Sequence, residues 1–384
     1  MKRPGAILAV FFWKGAAISK SRSIRRIELC QIAGGCCKQF GCEGNLWKNS
    51  GRASNLRFQT VPDVSNSLHG KYQILLIILG AILLYFGAEG LVRGSASLAT
   101  RLGVSPLIAG LTIVAFGTSA PELSVSLSSA LEGHSDIALG NVIGSNIFNI
   151  AVILGIAALI QPMKIHLAVI RRDIPVMIVA SAIAFALIIS GSFSRMAGCG
   201  LLLGLGAYLY FTIRSAKSAP VGSEENAMEA PPLLSSSWLI DTVVLLAGLG
   251  VLILGSRLFV DGATSFAKTM GVSDAVIGLT VVAVGTSLPE LATSVVAALR
   301  KQSDIAIGNV VGSNIFNVFC ILGVTATVSP INASEIGLRD GVVMLLIALI
   351  LLPFAMTGRR ISRSEGAVFL VIYAVYLVLL WPKG

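Results

Sequence analysis

Two short motifs each place a glutamate directly after a proline inside long apolar runs. GTSAPE begins at position 117 and GTSLPE at position 285. A carboxylate at the centre of a bilayer is strongly unfavourable unless it is paired, and such residues usually mark an ion path. Neither run offers Glu122 or Glu290 a Lys or Arg within two turns. We therefore predict that the missing counter-charge is a bound cation or a proton.

The proline explains how an ion site could form in the first motif. Pro121 has no N–H group, so the carbonyl of Gly117 loses its helical donor and the helix is expected to break. The freed carbonyls can bind a cation, and Glu122 falls in the first turn of the following half-helix, where the helix dipole favours an anion. Ala115, Thr118 and Glu122 share one helical face. The second motif repeats this pattern with Ala283, Thr286, Ser287, Pro289 and Glu290. A plain kink is the alternative interpretation of the prolines.

A second motif, GNVIGSNIFN, occurs at 140–149 and 308–317. Its polar residues are spaced by four and share one helical face: Asn141, Ser145 and Asn149 in the first copy, and Asn309, Ser313 and Asn317 in the second. Interhelical hydrogen bonding could explain this polar stripe. Its duplication beside a glutamate helix favours oxygen ligands for an ion. Gly140 and Gly144 are interpreted as packing residues, and Asp136 and Asp304 as helix caps near the surface.

The ligand types indicate which ion could bind. Carboxylates, hydroxyls, amides and carbonyls are all oxygen donors, and calcium takes about 6–8 oxygens in flexible geometry. Zinc or copper would require His or Cys. His134 and His166 lie outside the motifs, and Cys320 alone adjoins one. No cofactor is predicted.

The composition is that of a polytopic membrane protein. The 384 residues are 55% hydrophobic and 12% charged, with a mean hydropathy of +0.84. Apolar runs long enough to cross a bilayer recur from Tyr72 to Trp381. Nothing reads as alternating ten-residue strands, so the spans are expected to be helices. The net charge of +10 lies largely in short loops and at the N-terminus, so nucleic acid is not predicted as a partner.

Ten spans are predicted between positions 72 and 381. They cover roughly 72–99, 106–131, 137–160, 170–190, 196–214, 238–264, 274–299, 305–328, 341–357 and 365–381. Residues 1–70 are predicted to be a basic, disordered or non-native extension whose four cysteines match no zinc pattern. The first five-span repeat would occupy 71–214, a cytoplasmic linker 215–237 and the second repeat 238–384.

The two halves of the membrane region repeat one another. Residues 110–155 align without a gap on 278–323 at a constant shift of 168, with roughly 30 of 46 pairs identical. Five spans is an odd number, so the second half would enter the membrane from the opposite side. The predicted fold class is therefore an all-α membrane protein made of two inverted five-helix repeats, with its site at the midplane.

The Lys and Arg distribution predicts the orientation. Loops after odd-numbered spans carry most of the basic residues and are expected to be cytoplasmic. Both termini of the membrane core would then lie outside, in the inner or plasma membrane of a prokaryote.

The paired GTSxPE and GSNIFN motifs resemble those of the sodium/calcium exchangers, within the calcium/cation antiporter superfamily, especially the short prokaryotic type. The resemblance covers residues 72–384. It implies ten helices and a calcium site on Glu122, Glu290, Thr118 and Thr286. It further implies flanking sodium sites that use Ser119, Ser287, Ser145, Ser313 and the carbonyls of Ala115 and Ala283. Asn149 and Asn317 match the last polar position. Some branches carry Asp in place of Asn317.

The predicted function is antiport of calcium against sodium by alternating access, with no enzymatic activity. A cation/proton antiporter on the same scaffold is the main alternative, since two glutamates can also carry protons. An intramembrane enzyme, with the glutamates as acid and base, is a remote alternative, because hydrolysis would need a metal cluster or a nucleophile–base pair and the two halves of the site are too symmetric to divide these roles. A channel suits broken, inverted helices less well. The expected partners are inorganic cations and the lipid bilayer, with no obligate protein partner.

Overall fold

The computed structural model describes residues 64–218, 237–271, 283–332 and 338–380. These residues form helices with four very short strands. The helices are α1 Val64–Leu102, α2 Pro106–Thr118, α3 Ala120–Leu131, α4 Ser135–Ile160, α5 Val169–Ile189, α6 Arg195–Ser218, α7 Trp238–Thr269, α8 Ala283–Gly285, α9 Leu288–Leu299, α10 Ser303–Val328, α11 Leu338–Met356 and α12 Arg363–Leu380. The all-helical prediction is confirmed.

The number of spans agrees in part with the prediction of ten. Within the described ranges, eight helices are long and apolar enough to cross a membrane, and the bent pair α2 and α3 makes a ninth. The predicted span 274–299 is described only from Ala283 onward, so its first half lies outside the described residues. The predicted extension, up to position 63, and the linker from 219 to 236 lie outside them as well.

The interior of the bundle is built from the two helices that carry GSNIFN. The apolar 18-residue stretch of α10 that could span a membrane is entirely buried, and the corresponding stretch of α4 is largely buried. In α1, α6, α7 and α12 most residues of this stretch are not buried. Their outward side chains are large and apolar, for example Phe86, Leu203, Leu246 and Val378. A hydrophobic exterior around a polar, buried centre is the arrangement that a lipid environment requires. The chain is an integral, multi-pass membrane protein.

Four two-residue strands join the halves of the chain at their ends. β1 (Met163–Lys164) pairs with β4 (Arg360–Ile361), and β2 (Ser192–Phe193) pairs with β3 (Ile331–Asn332), both antiparallel. β3 is the counterpart of β1 at the shift of 168, and β4 is the counterpart of β2. β1 therefore pairs with the counterpart of β2, and β2 pairs with the counterpart of β1. Because the 21-residue α5 separates β1 from β2, the counterparts β1 and β3 lie at opposite ends of this helix.

The two longest helices, α1 and α7, cross through glycines that repeat at the same shift. Gly80, Gly87 and Gly94 of α1 correspond to Gly248, Gly255 and Gly262 of α7. A Cβ atom on Gly87 would lie 2.5 Å from the amide nitrogen of Leu252, and one on Gly248 would lie 2.6 Å from that of Leu91. Small residues thus allow the two backbones to touch, as in other packed membrane helices.

The interpretation of Asp136 and Asp304 as helix caps is wrong. The N-cap residues of α4 and α10 are His134 and Gln302, and neither makes a capping side-chain bond. Each aspartate is the second residue of its helix and lies in the first turn. Asp304 is buried and lies 3.1 Å from Nε2 of His166. The Asp304 carboxylate therefore contacts His166, on a loop distant in sequence, and does not cap its own helix.

Candidate cation site

The proline motifs break their helices as expected. In the first half, α2 ends at Thr118, Ser119 has φ −81° and ψ 4°, and α3 continues at an angle of 43°. In the second half, α8 ends at Gly285, and Ser287 has φ −88° and ψ 6° before α9 begins. Glu122 and Glu290 both fall in the first turn of the following helix. Each carboxylate is therefore near the positive end of a helix dipole.

The serines of the two breaks bring the glutamates of the two halves together. Ser119 donates a hydrogen bond to Oε1 of Glu290 at 2.9 Å, and Ser287 donates one to Oε1 of Glu122 at 3.0 Å. Each serine therefore contacts the glutamate of the other half of the chain. Both glutamates are 1% exposed. The exchanged pairing produces a single buried cluster with two carboxylates.

Two asparagines hold the backbone at the start of each glutamate helix. The side-chain amide of Asn141 donates to the carbonyl of Glu122 at 3.2 Å, and Asn309 donates to that of Glu290 at 3.2 Å. The same amides also contact Ser126 at 2.9 Å and Ser294 at 3.0 Å.

Their amide oxygens are used as well. Oδ1 of Asn309 accepts from Thr118 at 3.1 Å, and Oδ1 of Asn141 accepts from Thr286 at 3.3 Å. These asparagines therefore position the carboxylates and the threonines. Ser126 and Ser294 were not singled out from the sequence, although they recur at the shift of 168 and could have been found that way.

Several buried oxygens in the cluster have no hydrogen-bond partner among the described residues. They are Oε2 of Glu122, Oε2 of Glu290, Oδ1 of Asn149, Oδ1 of Asn317 and Oγ of Ser313. Buried polar atoms are normally satisfied, and each one left unpaired costs about 1–3 kcal/mol, more when it is charged. Two of the five are oxygens of the carboxylates themselves, and all five are of the kind that hard cations bind.

The other buried acids of the described chain differ from this pair. Asp173 contacts Arg172 at 2.8 Å, Asp241 contacts Arg101 at 2.5 Å, and Asp304 contacts His166 at 3.1 Å. Within the same described ranges, no Lys or Arg pairs with Glu122 or Glu290. Because a lone carboxylate in low dielectric is unfavourable, these two sites are the ones that require an added positive charge.

Two of the remaining predicted ligands contact serines of the cluster. Oγ of Ser145 lies 3.1 Å from Oγ of Ser287. The carbonyl of Ala115 accepts the amide of Ser119 at 3.1 Å and also lies 3.4 Å from the hydroxyl of Thr118. Ala283 is the first described residue of its helix.

The two asparagines at the ends of the GSNIFN motifs begin π-helical turns. Asn149 opens the turn Asn149–Leu154 and Asn317 opens Asn317–Leu322. Wider turns of this kind are frequent at functional sites because they redirect a side chain within a helix. The amide of Asn317 donates to Oδ1 of Asn146 at 3.0 Å. Asn146, which the sequence analysis did not single out, thus joins the two motif helices.

Comparisons with known proteins identify the family of the chain. The model of the sodium/calcium exchanger protein family matches residues 72–214 and 240–381. The chain is 39% identical over 317 residues to the CaxA antiporter of Alkalimonas amylolytica, covering 80% of this chain and 98% of CaxA. It is 34% identical over 346 residues to the sodium/calcium exchanger MaX1 of Methanosarcina acetivorans, covering 80% and 98%.

A solved structure shows the same fold. The sodium-calcium exchanger NCX_Mj, soaked with 10 mM Na+ and 10 mM Sr2+, superimposes with a TM-score of 0.71 at 33% identity, covering 81% of this chain and 99% of NCX_Mj. The relatives are transporters, so the prediction that the chain is not an enzyme is confirmed. The resemblance inferred from the paired motifs is confirmed as well. The chain belongs to the sodium/calcium exchanger family, in its short prokaryotic form.

Proposed function

We propose that this protein exchanges calcium for sodium across the membrane, with both ions bound at the cluster around Glu122 and Glu290. The observation that carries the proposal is the pair of buried carboxylates whose Oε2 atoms have no partner among the described residues. Two carboxylates balance the charge of one calcium ion, and only oxygen donors surround them. The relative MaX1 is named a sodium/calcium exchanger, which supports the same pair of ions.

The assignment of ligands to ions is the one that the resemblance to the sodium/calcium exchangers implies. Calcium takes Glu122, Glu290, Thr118 and Thr286, where the charge density is highest. Sodium ions take the flanking positions at Ser119 and Ser287, Ser145 and Ser313, Asn149 and Asn317, and the carbonyls of Ala115 and Ala283. The Oε1 atoms that accept the serine hydroxyls belong to both sets. Sharing these carboxylates makes the two ions compete.

Competition provides the coupling of the two fluxes. Calcium and sodium cannot fill the cluster together, because their combined charge would exceed what two carboxylates neutralise in a low dielectric. An empty pair of carboxylates is too unfavourable to move past apolar surface. The protein therefore switches the site from one side of the membrane to the other only when calcium or sodium has neutralised the two carboxylates. Linkage then requires each ion to weaken the binding of the other by the same factor.

The scaffold for this movement is a ten-span bundle of two inverted five-helix repeats, 71–214 and 238–384. The exchanged strand pairs support the inversion, because the counterparts β1 and β3 lie at opposite ends of α5. The repeated glycines of α1 and α7 and the symmetric serine–glutamate pairs support it also. In such transporters the site lies between the repeats near the midplane, and access alternates as one part moves against the other.

Proteoliposomes can identify the coupling ion. We expect an outward sodium gradient to drive uptake of labelled calcium, and sodium in saturating amounts to abolish calcium binding in calorimetry. A pH gradient alone should drive little uptake. Calcium flux that responds only to a pH gradient would show that calcium is exchanged for protons and not for sodium. Calcium binding that does not change in saturating sodium would show that the two ions do not share a site.

The orientation is proposed from the charge of the loops. The linker 215–237 lies in the cytoplasm and both ends of the membrane core lie outside, in the inner or plasma membrane of a prokaryotic cell. Single cysteines placed in the linker and at Gly384, in a background without the native cysteines, can be labelled in intact cells with an impermeant maleimide. We expect labelling at Gly384 alone. Labelling of the linker from outside would show that the orientation is the opposite of the one proposed.

A further inference from the structure

An ion pair outside the cation site joins the end of α9 to α1. Nε of Arg300, the residue that follows α9, donates to Oε2 of Glu89 at 3.0 Å, and Nη2 lies 2.5 Å from Oε1 of the same carboxylate. Nε of Arg93, one turn further along α1, lies 2.5 Å from Oε1 as well. Two parallel contacts between a guanidinium and a carboxylate are stronger and more specific than a single contact. The pair therefore ties α9 to α1.

The internal repeat carries the opposite charges at the three equivalent positions. At the shift of 168, the counterparts of Glu89, Arg93 and Arg300 are Arg257, Asp261 and Glu132. The backbone is the same at the ends of α3 and α9, since Glu132 has φ −82° and ψ 0° and Arg300 has φ −83° and ψ 3°. The fold thus accepts either sign of charge at each position, so the three charges can be exchanged as a set.

The helices that end at these residues are packed differently in the two halves. α9 lies along α1, whereas its counterpart α3 has little contact with α7. Thr293 of α9 is 0% exposed, whereas its counterpart Val125 is 37% exposed. Val296 is 3% exposed, whereas its counterpart Ser128 lies at the surface. The side at α9 is therefore closed, and the equivalent side at α3 is open.

The open and closed sides belong to the two helices that carry the glutamates. Glu122 and Glu290 lie in the first turns of α3 and α9. Ser124 and Ser128 are exposed one turn apart on α3, so polar groups line the open side. In a transporter with alternating access, the side that is now closed must open before an ion can leave there. The ion pair of Arg300 must break when α9 separates from α1.

We propose that the Glu89–Arg300 pair is a latch that holds α9 against α1 and keeps the path to the cation site closed on this side. The proposal rests on the alternating access of the proposed function. Both are positioning residues, because they act on the path through the placement of α9 and are not ligands of the ion. The pair exists in the closed state only, so its loss raises the population of the open state. For a partly exposed pair we expect a change of up to about fivefold.

The repeat supplies the variants that test the latch. Arg300→Glu places a carboxylate beside Glu89, and Glu89→Arg places a guanidinium beside Arg93 and Arg300, so each single change replaces attraction by repulsion. The triple exchange Glu89→Arg, Arg93→Asp and Arg300→Glu introduces at all three positions the residues of the other half. It restores an ion pair of opposite polarity between α9 and α1, and it is expected to fold because the repeat already has these residues at equivalent positions.

A cysteine at Val296 can report whether the closed side opens. Val296 is one turn before Arg300 on α9, and its carbonyl accepts the amide of Arg300 at 2.9 Å. In a background without the native cysteines, the rate at which a water-soluble maleimide labels Val296→Cys is measured on the purified full chain in saturating calcium. Ser128→Cys, on the open side, should be labelled readily in every variant. Ala184→Cys, at a position of α5 that is 0% exposed, should stay protected, which excludes general loosening.

We expect Val296→Cys to be labelled about fivefold faster in Arg300→Glu and in Glu89→Arg, and within about twofold of the original rate in the triple exchange. Equal labelling in all variants would overturn the latch, and so would a triple exchange that is labelled as fast as the single changes. Calcium uptake into proteoliposomes by the unmodified protein tests the proposed function separately. Absence of that uptake would overturn the proposed function, whereas equal labelling with uptake intact would overturn the latch alone.

Discussion

Replacement of either glutamate by glutamine, Glu122→Gln or Glu290→Gln, is expected to abolish calcium transport while the protein still inserts and folds. Each change removes one of the two negative charges that face a divalent ion. Two unit charges 4 Å apart interact by about 4 kcal/mol at an effective dielectric of 20. Calcium affinity should therefore fall by more than about 100-fold. The side chain keeps its size and an acceptor oxygen for the serine of the other half.

Uptake of labelled calcium into proteoliposomes measures this effect, with size-exclusion chromatography as the check on folding. Glu132→Gln is a suitable control, because Glu132 is exposed and directly follows the same helix. Ser287→Ala is a second control, since it removes the hydrogen bond to Glu122 but no charge. It should reduce transport by no more than about tenfold. Near-normal uptake by either glutamine variant would contradict the proposed site.

The glycine crossing of α1 and α7 leads to the second large effect. Gly248→Ala is expected to destabilise the folded protein by about 2 kcal/mol or more, the upper part of the range for overpacking. The added Cβ would lie 2.6 Å from the nitrogen of Leu91 and 2.8 Å from the carbonyl carbon of Gly90. These are backbone atoms of a paired helix, which cannot move aside as a flexible side chain can.

Gly250→Ala is the matched control for this prediction. Gly250 lies two residues away on α7 and has no other atom within 4 Å of a built Cβ, apart from its own helix. This variant should be unchanged or slightly more stable, since alanine favours a helix by up to about 1 kcal/mol. Melting temperatures in detergent compare the two. Equal melting temperatures would show that α1 and α7 do not need close backbone contact.

The sequence by itself determined the class of the protein and located its candidate site. Apolar runs require helices in a membrane, because lipid leaves no other way to pair backbone groups. The shift of 168 revealed the repeat, and Pro121 and Pro289 located the breaks, because proline cannot donate the helical hydrogen bond. The missing counter-charge beside Glu122 and Glu290 was also evident. All of these depend on local chemistry or on comparison of one half with the other.

Only the tertiary structure decided which groups contact one another across the halves. Ser119 meets Glu290 and Ser287 meets Glu122, pairs that are 171 and 165 residues apart. Asn141 and Asn309 share a helical face with Ser145 and Ser313, but their bonds to backbone carbonyls make them positioning residues.

The partners of the other acids could not be inferred for the same reason. Asp304 was expected to cap its own helix, yet it contacts His166, 138 residues away. Asp241 of α7 reaches Arg101 at the end of α1. A helical pattern states which residues lie on one face, whereas a partner depends on how distant helices cross. That crossing is set by packing, as at the glycines of α1 and α7, which no single stretch of sequence contains.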